Sequence, residues 1–399
     1  MICRFPMVAF AVLFFANAAV AQQSEVWQTR TWPELKAETQ SRADRGAYPL
    51  EGLDPKDVSE ALSKIDSLDP EKWAAAWIAI GDRYELRAKA ELTNQPSKAR
   101  EDFHKAWLNY AFGRWPTPTS PGKITSYQKA KEAFLSYARL SDPRIEMIKI
   151  PFEGKQIVAY LQRPKGVRRP PIVLDLGGAD EWMDFVADHS SQFVKAGIAD
   201  VAVDMPGTGE APLAARPGAE RIYSTLIDYL RTRDDLDGSR IVVRGISWGS
   251  YWSLRVAYAD ADRLKGAVFQ SGAVDAYFKR EWQDTSLHTK EYLFDFVASR
   301  LFILGQPNVE AMLDFMPSLS LKADGLIDKA SPPMLLIAGA KDTQNPISDV
   351  FLLLQSGTPK TAWINPQGGH MGRDAHVTRS QIFDEVTLPW VEKRLRPAS

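Results

Sequence analysis

Gly245-Ile246-Ser247-Trp248-Gly249 sets a serine between two glycines, each two residues away. A serine hydroxyl is a weak nucleophile until a neighbouring base takes its proton. The motif therefore carries chemistry only where the surrounding chain can present that hydroxyl to a base. Arg240 to Arg244 reads as an apolar strand, and Tyr251 to Tyr258 reads as a helix. A sharp strand-to-helix turn lifts the serine side chain out of a sheet, and small flanking residues let the backbone fold that tightly. The helix N-terminus behind it favours developing negative charge. The chemistry this predicts is acyl transfer through Ser247.

On such a turn the partners follow in the chain order serine, acid, histidine. Of five histidines, only His370 and His376 lie beyond the next acid candidate. His370 stands in Gly368-Gly369-His370, a loop directly after a strand ending near Asn365, and is the expected base. His376 falls where the last helix is expected and should face solvent. Asp342 ends Gly339-Ala340-Lys341-Asp342, directly after the run Met334 to Ala338, and is the expected acid; Asp349, on the next helix, is second. The acid would hold the imidazole tautomer and stabilise the imidazolium. An oxyanion hole needs two backbone donors. The N–H of Trp248 is one, and Leu176-Gly177-Gly178-Ala179-Asp180 supplies the other through Gly178, with Ala179 as alternate.

These residues need a sheet to hold them. Ile145 to Pro151 and Gln156 to Gln162 read as two strands turned at Gly154. Short apolar runs then recur at Pro171 to Leu176, Ala199 to Asp204, Arg240 to Arg244, Leu264 to Phe269, Pro333 to Ala338 and Thr361 to Asn365. Most are separated by helical stretches, the signature of a mostly parallel sheet covered by helices. About residues 275–330 the alternation lapses into an aromatic-rich helical segment, read as a lid inserted over the sheet edge. From about residue 31 to 140 the pattern is helical throughout. Trp73, Trp77, Ile80, Tyr84 and Ala88 form one apolar stripe, Ala99, Phe103, Ala106 and Tyr110 a second, and Tyr127, Ala130, Phe134 and Ala138 a third. His104, among the second stripe's aromatics, reads as structural. The domains expected are an all-helical one over 22–144 and an α/β one over 145–399.

Composition narrows the partners. A formal net charge of −1 over 399 residues, with no basic run, argues against nucleic acid. Arg4, the apolar stretch from Val8 to Phe15 and Ala19-Val20-Ala21 read as a signal peptide over 1–21, cleaved after Ala21. The alternative is an uncleaved anchor. A periplasmic or secreted enzyme without stable membrane insertion is expected, and its mature chain has no thiol because Cys3 is the sole cysteine. Gly207-Thr208-Gly209 lacks the rest of a dinucleotide-binding pattern, and no Walker sequence or H-E-x-x-H occurs. No metal and no cofactor are expected.

The chain resembles the α/β-hydrolases that include 2,6-dihydroxypseudooxynicotine hydrolase, the fermentation–respiration switch protein and fungal polyketide chain-shortening hydrolases. The likeness runs through Arg42 to Tyr48, Trp73 to Ala90, Leu176 to Asp180, Asp204 to Glu210, the turn at Ser247, Arg280-Glu281-Trp282 and Gly369 to Gly372. It implies a helical domain capping a hydrolase core, often in a homodimer. It also implies cleavage of an ester, or of a carbon–carbon bond beside a carbonyl. Some relatives use an extra acid near the triad, for which Glu281 is the candidate by position and Glu210 the second. Asp275 stands where polyketide-cleaving relatives would have a histidine, so their substrate does not carry over. A moderately apolar carbonyl compound is expected as substrate, with Trp182, Trp248, Trp252 and Trp282 as candidates for its pocket or for ordinary core. An oligopeptidase-like peptidase and a non-catalytic partner-binding protein are the competing readings.

Overall fold

The computed structural model describes residues 27, 29–189 and 191–397, so the leader read over residues 1–21 lies outside the described residues. Among the described residues five helices come first: α1 (Trp32–Asp44), α2 (Pro55–Ser63), α3 (Pro70–Glu91), α4 (Pro96–Arg114) and α5 (Pro121–Leu140). Every one has proline in its first turn, where a missing N–H removes no intrahelical bond. The side chains of Asp54, Asp69 and Ser120 accept the N–H groups of Lys56, Glu71 and Lys123 and cap α2, α3 and α5. The apolar stripes close on one another, with Trp73 and Trp77 against Phe112.

The sheet follows, and each strand lies within two residues of its expected run. The strands are β1 (Ile145–Phe152), β2 (Lys155–Gln162), β3 (Ile172–Leu176), β4 (Ala199–Val203), β5 (Ile241–Ile246), β6 (Gly266–Gln270), β7 (Met334–Gly339) and β8 (Thr361–Asn365). Their order is β1-β2-β4-β3-β5-β6-β7-β8. β2 runs antiparallel to both of its neighbours, β1 and β4, and all other pairings are parallel. Strands β3 to β7 are buried on both faces, which is why they read as unbroken apolar runs. Three charged residues, Asp175, Asp200 and Arg244, break that rule. Asp175 and Arg244 are cross-strand neighbours on β3 and β5, both buried, paired at 2.6 Å.

Helices α6 (Met183–His189), α7 (Ser191–Lys195), α8 (Arg221–Thr232) and α9 (Trp248–Ala259) alternate with the strands. The expected insertion sits between β6 and β7 and carries α10 (Arg280–Ser286), α11 (Phe296–Leu304) and α12 (Val309–Phe315). It is tied down at four successive carbonyls. Arg30 donates to those of Lys290 (2.5 Å), Tyr292 (2.8 Å) and Leu293 (2.8 Å), and Arg42 to that of Glu291 (3.2 Å). Helix α13 (Ile347–Leu354) follows β7. The chain ends in α14 (Arg379–Ile382), a π-helical turn (Phe383–Thr387) and α15 (Leu388–Leu395). His376 is not in that last helix. It lies exposed in a turn held by Asp374, before the Thr378–Gln381 capping box that starts α14. Among the described residues no helix is long and apolar enough to cross a membrane.

Asp204, at the end of β4, joins two segments by accepting the N–H of Met183 (2.8 Å) and of Glu210 (2.8 Å). Burial, helped by the like charges of Asp184 and Glu210, pushes this carboxyl up to about 7 from its ordinary 3.8. Between those values the folded chain holds a proton that the unfolded chain has released. The carboxyl's contribution to stability therefore falls as pH rises from about 4 to about 7. Urea midpoints should decline across that window, and the decline should be shallower in Asp204→Asn, which cannot ionise.

Candidate active site

The turn between β5 and α9 has the strain its sequence implies. Ser247 adopts φ 51° and ψ −124°, a conformation that non-glycine residues rarely hold. The flanking glycines are obligatory for steric reasons. A Cβ on Gly245 would stand 2.2 Å from the carbonyl oxygen of Gly249, and one on Gly249 would stand 2.3 Å from that of Gly177. Two bonds to β6 hold the bend. The Ser247 N–H donates to the Gln270 carbonyl (2.8 Å), and the Ser250 hydroxyl accepts the Gln270 N–H (2.9 Å). Ser250 is a residue that sequence reasoning missed; its place three positions after Ser247 was the only signal.

The structure brings Ser247, His370 and Asp342 together from three loops. Nε2 of His370 lies 2.9 Å from the Ser247 hydroxyl, and Nδ1 lies 3.0 Å from Oδ2 of Asp342. The other carboxylate oxygen of Asp342 accepts the N–H groups of Gln344 (2.8 Å) and Asn345 (2.9 Å), which fixes its plane. Both His370 and Asp342 are buried. The histidine loop is moored to β6, with the Met371 N–H on the Ser271 hydroxyl and the Gln270 side chain on the Met371 carbonyl, each at 3.0 Å. Asp349 takes a different part. Fully buried, it accepts the N–H groups of Val274, Asp275, Ala276 and Tyr277 and so anchors the start of the insertion. Asp275 is likewise structural, bonded to Ser320 and Lys279.

Gly178 lies against the serine, since a Cβ placed on it would be 3.2 Å from Ser247 Cβ and 3.7 Å from Oγ. Trp248 opens α9, so its N–H has no partner within the helix and points outward from the helix end. The loop carrying Gly178 is shaped from behind. Trp182 donates its indole N–H to the Ala179 carbonyl (3.0 Å), and the Arg114 guanidinium covers its ring at 3.9 Å.

A narrow cavity opens at Ser247, His370 and Gly178. Its other walls come from distant segments: Tyr48 between α1 and α2, Asp180 and Glu181 after β3, Tyr292 and Arg300 in the insertion, and Arg373 and Arg379 near the C-terminus. Five charged side chains thus face a space expected to be moderately apolar, where only Ile246 and Met371 offer large aliphatic surface. None of the four residues assigned to substrate contact lines it. Trp182 backs the Gly178 loop, and Trp252 is fully buried on α9 against Tyr251. Glu281 is exposed in the first turn of α10, where a carboxylate suits the helix dipole. Glu210 is engaged by Lys131 (2.8 Å) and the Tyr127 hydroxyl (3.2 Å). The side chains of Trp248 and Trp282 also pack elsewhere, bonding Tyr277 and the Gln344 carbonyl.

Glu291 does what Glu281 was expected to do, from a different position. One carboxylate oxygen accepts the backbone N–H of His370 (2.5 Å), and the other accepts the Thr343 hydroxyl (2.6 Å) and N–H (3.3 Å). A single side chain of the insertion therefore holds the loops of both His370 and Asp342. A misplacement of about 1 Å can cost roughly a hundredfold in rate. Glu291→Ala is expected to lower kcat about 10- to 100-fold, with a smaller change in KM, in steady-state assays of any turned-over ester.

The model of the family described as "Esterase FrsA-like" matches residues 44–395. The chain is 26% identical over 327 residues to Esterase FrsA of Photobacterium profundum, covering 75% of this chain and 76% of the relative. It is 25% identical over 402 residues to the alpha/beta hydrolase psoB of Aspergillus fumigatus, covering 87% and 90%. Among solved structures, 2,6-dihydroxy-pseudo-oxynicotine hydrolase superposes with a TM-score of 0.72 at 20% identity, over 86% of this chain and 93% of that one. AbyA5 superposes at 0.71 and 21% identity, over 90% and 94%. These two likenesses bear on the fold, which is that of an α/β-hydrolase with a helical N-terminal region. With the family model spanning nearly the whole described chain, the protein is a hydrolase and belongs to the FrsA-like esterase family.

Proposed function

We propose that this protein is an exported serine hydrolase that cleaves an ester, or the carbon–carbon bond of a β-diketone, through Ser247, His370 and Asp342. The observation that carries the reading is the unbroken relay from the Ser247 hydroxyl through both imidazole nitrogens to Asp342. Ser247 Oγ attacks the substrate carbonyl as His370 Nε2 takes its proton, and Asp342 steadies the imidazolium. The tetrahedral oxyanion is met by the N–H groups of Trp248 and of Gly178 or Ala179. Collapse expels an alkoxide or an enolate, which His370 protonates, and water then releases the acyl group by the same steps reversed. An enolate leaves for the same reason an alkoxide does, because its charge rests on oxygen. Export rests on the leader read in residues 1–21.

A fluorophosphonate probe should label Ser247 in the purified protein, and labelling should vanish in Ser247→Ala. Folded protein that takes no label would overturn the reading in favour of a binding protein. Turnover of p-nitrophenyl esters against a simple 1,3-diketone then separates the two bond types. The amino-terminal sequence of protein recovered from the periplasm should begin at Gln22.

A further inference from the structure

Arg300 is an anomaly in the cavity that holds Ser247. It is buried to 2% exposure on α11, and its guanidinium lies over the ring of Phe296 at 4.3 Å. Its Nε reaches only the Tyr277 hydroxyl, at 3.3 Å. Its Nη1 is buried with no hydrogen-bond partner, and among the described residues no carboxylate forms an ion pair with it. A buried cation is ordinarily kept only where an anion or a set of acceptors completes it.

The nearby acids make no contact with it: Asp180 attracts the guanidinium only from a distance. Glu181 is paired with Arg379 at 2.6 Å, and Asp180 accepts the Tyr48 hydroxyl. The cavity wall holds three guanidinium groups, of Arg300, Arg373 and Arg379, and two carboxyl groups, of Asp180 and Glu181; Glu181 and Glu51 both attract Arg379, whereas Arg300 has no carboxylate in contact. We propose that Arg300 binds a carboxylate carried by the substrate, so that the enzyme selects acyl compounds with a second, anionic end within reach of the scissile carbonyl. A guanidinium fork matches a carboxylate in geometry as well as charge. This inference rests on the reading of Ser247 as nucleophile.

The test compares two esters of nearly equal size, p-nitrophenyl pentanoate and mono-p-nitrophenyl glutarate, the second ending in a carboxylate. The native protein should turn over the glutarate ester with a kcat/KM at least tenfold higher, and free glutarate should inhibit hydrolysis of the pentanoate ester competitively. Arg300→Met should lose at least tenfold more activity on the glutarate ester than on the pentanoate ester, and Arg300→Lys should keep part of the preference. Equal or better use of the neutral ester by the native protein, with no inhibition by glutarate, overturns the proposal without any variant. So does an Arg300→Met protein that slows 1,3-diketone cleavage yet leaves the ester ratio unchanged, since the group bound would then be the departing enolate. Failure of the nucleophile reading looks different, because both esters would still be turned over by Ser247→Ala.

Discussion

Ser247→Ala is expected to lower kcat/KM on any ester by roughly 10⁴-fold or more, the scale at which removal of a triad nucleophile leaves only binding and oxyanion stabilisation. The fold should survive the change. The Ser247 hydroxyl makes its hydrogen bond to His370, while the backbone N–H that holds the bend to Gln270 is untouched. Alanine bears the same φ of 51° no better and no worse than serine. The melting temperature should therefore stay within a few degrees of the native value. His370→Ala should cost about as much, and the double variant little more than either alone, because members of a relay do not contribute independently. A variant at position 247 retaining more than a tenth of native activity would sink the assignment.

The second large effect concerns stability. Arg244→Met removes the partner of a carboxylate buried at the centre of the sheet, and stranding one charge of such a pair costs about 3–5 kcal/mol. The Arg244 guanidinium lies between Phe193 and Phe383, at 5.8 and 5.5 Å, and both members of the pair are buried. Urea denaturation of Arg244→Met should show a midpoint far below native with an unchanged slope. Replacing both partners, as Asp175→Val with Arg244→Met, should recover most of the loss, since apolar side chains fill the space without a desolvated charge. A single variant as stable as the native protein would show that the pair contributes nothing.

How far the sequence could be read follows from the range over which each feature is encoded. The sheet was legible because β3 to β7 are buried on both faces, so each strand is an apolar run marked off by its own neighbours. Ser247, Asp342 and His370 were legible because each sits in a loop directly after a strand, and chain order assigns the roles. The cavity walls were not. Tyr48, Asp180, Tyr292, Arg300 and Arg379 come from segments up to about 330 residues apart, and no local pattern announces that they converge. The tryptophans misled for a related reason. Their size marks them for burial, and burial behind the Gly178 loop or along α9 satisfies that as well as a pocket does. Glu281 misled because motif position fixes a place on the chain, whereas the direction of a side chain depends on how α10 packs. Glu291, ten residues on, reaches both loops only because Arg30 and Arg42 hold its backbone there.

That grip decides how a substrate reaches Ser247. A flap that swings open must break its latches, and here four consecutive carbonyls would have to be released together from two arginines of the amino-terminal region. The insertion is latched over the cavity along this stretch, and an opening that breaks none of these bonds lies elsewhere. Tyr48, Arg373 and Arg379 border both the inner cavity and a broad outer groove, so they stand on the path between solvent and Ser247. Rotation of these three side chains would widen that path with no movement of the roof.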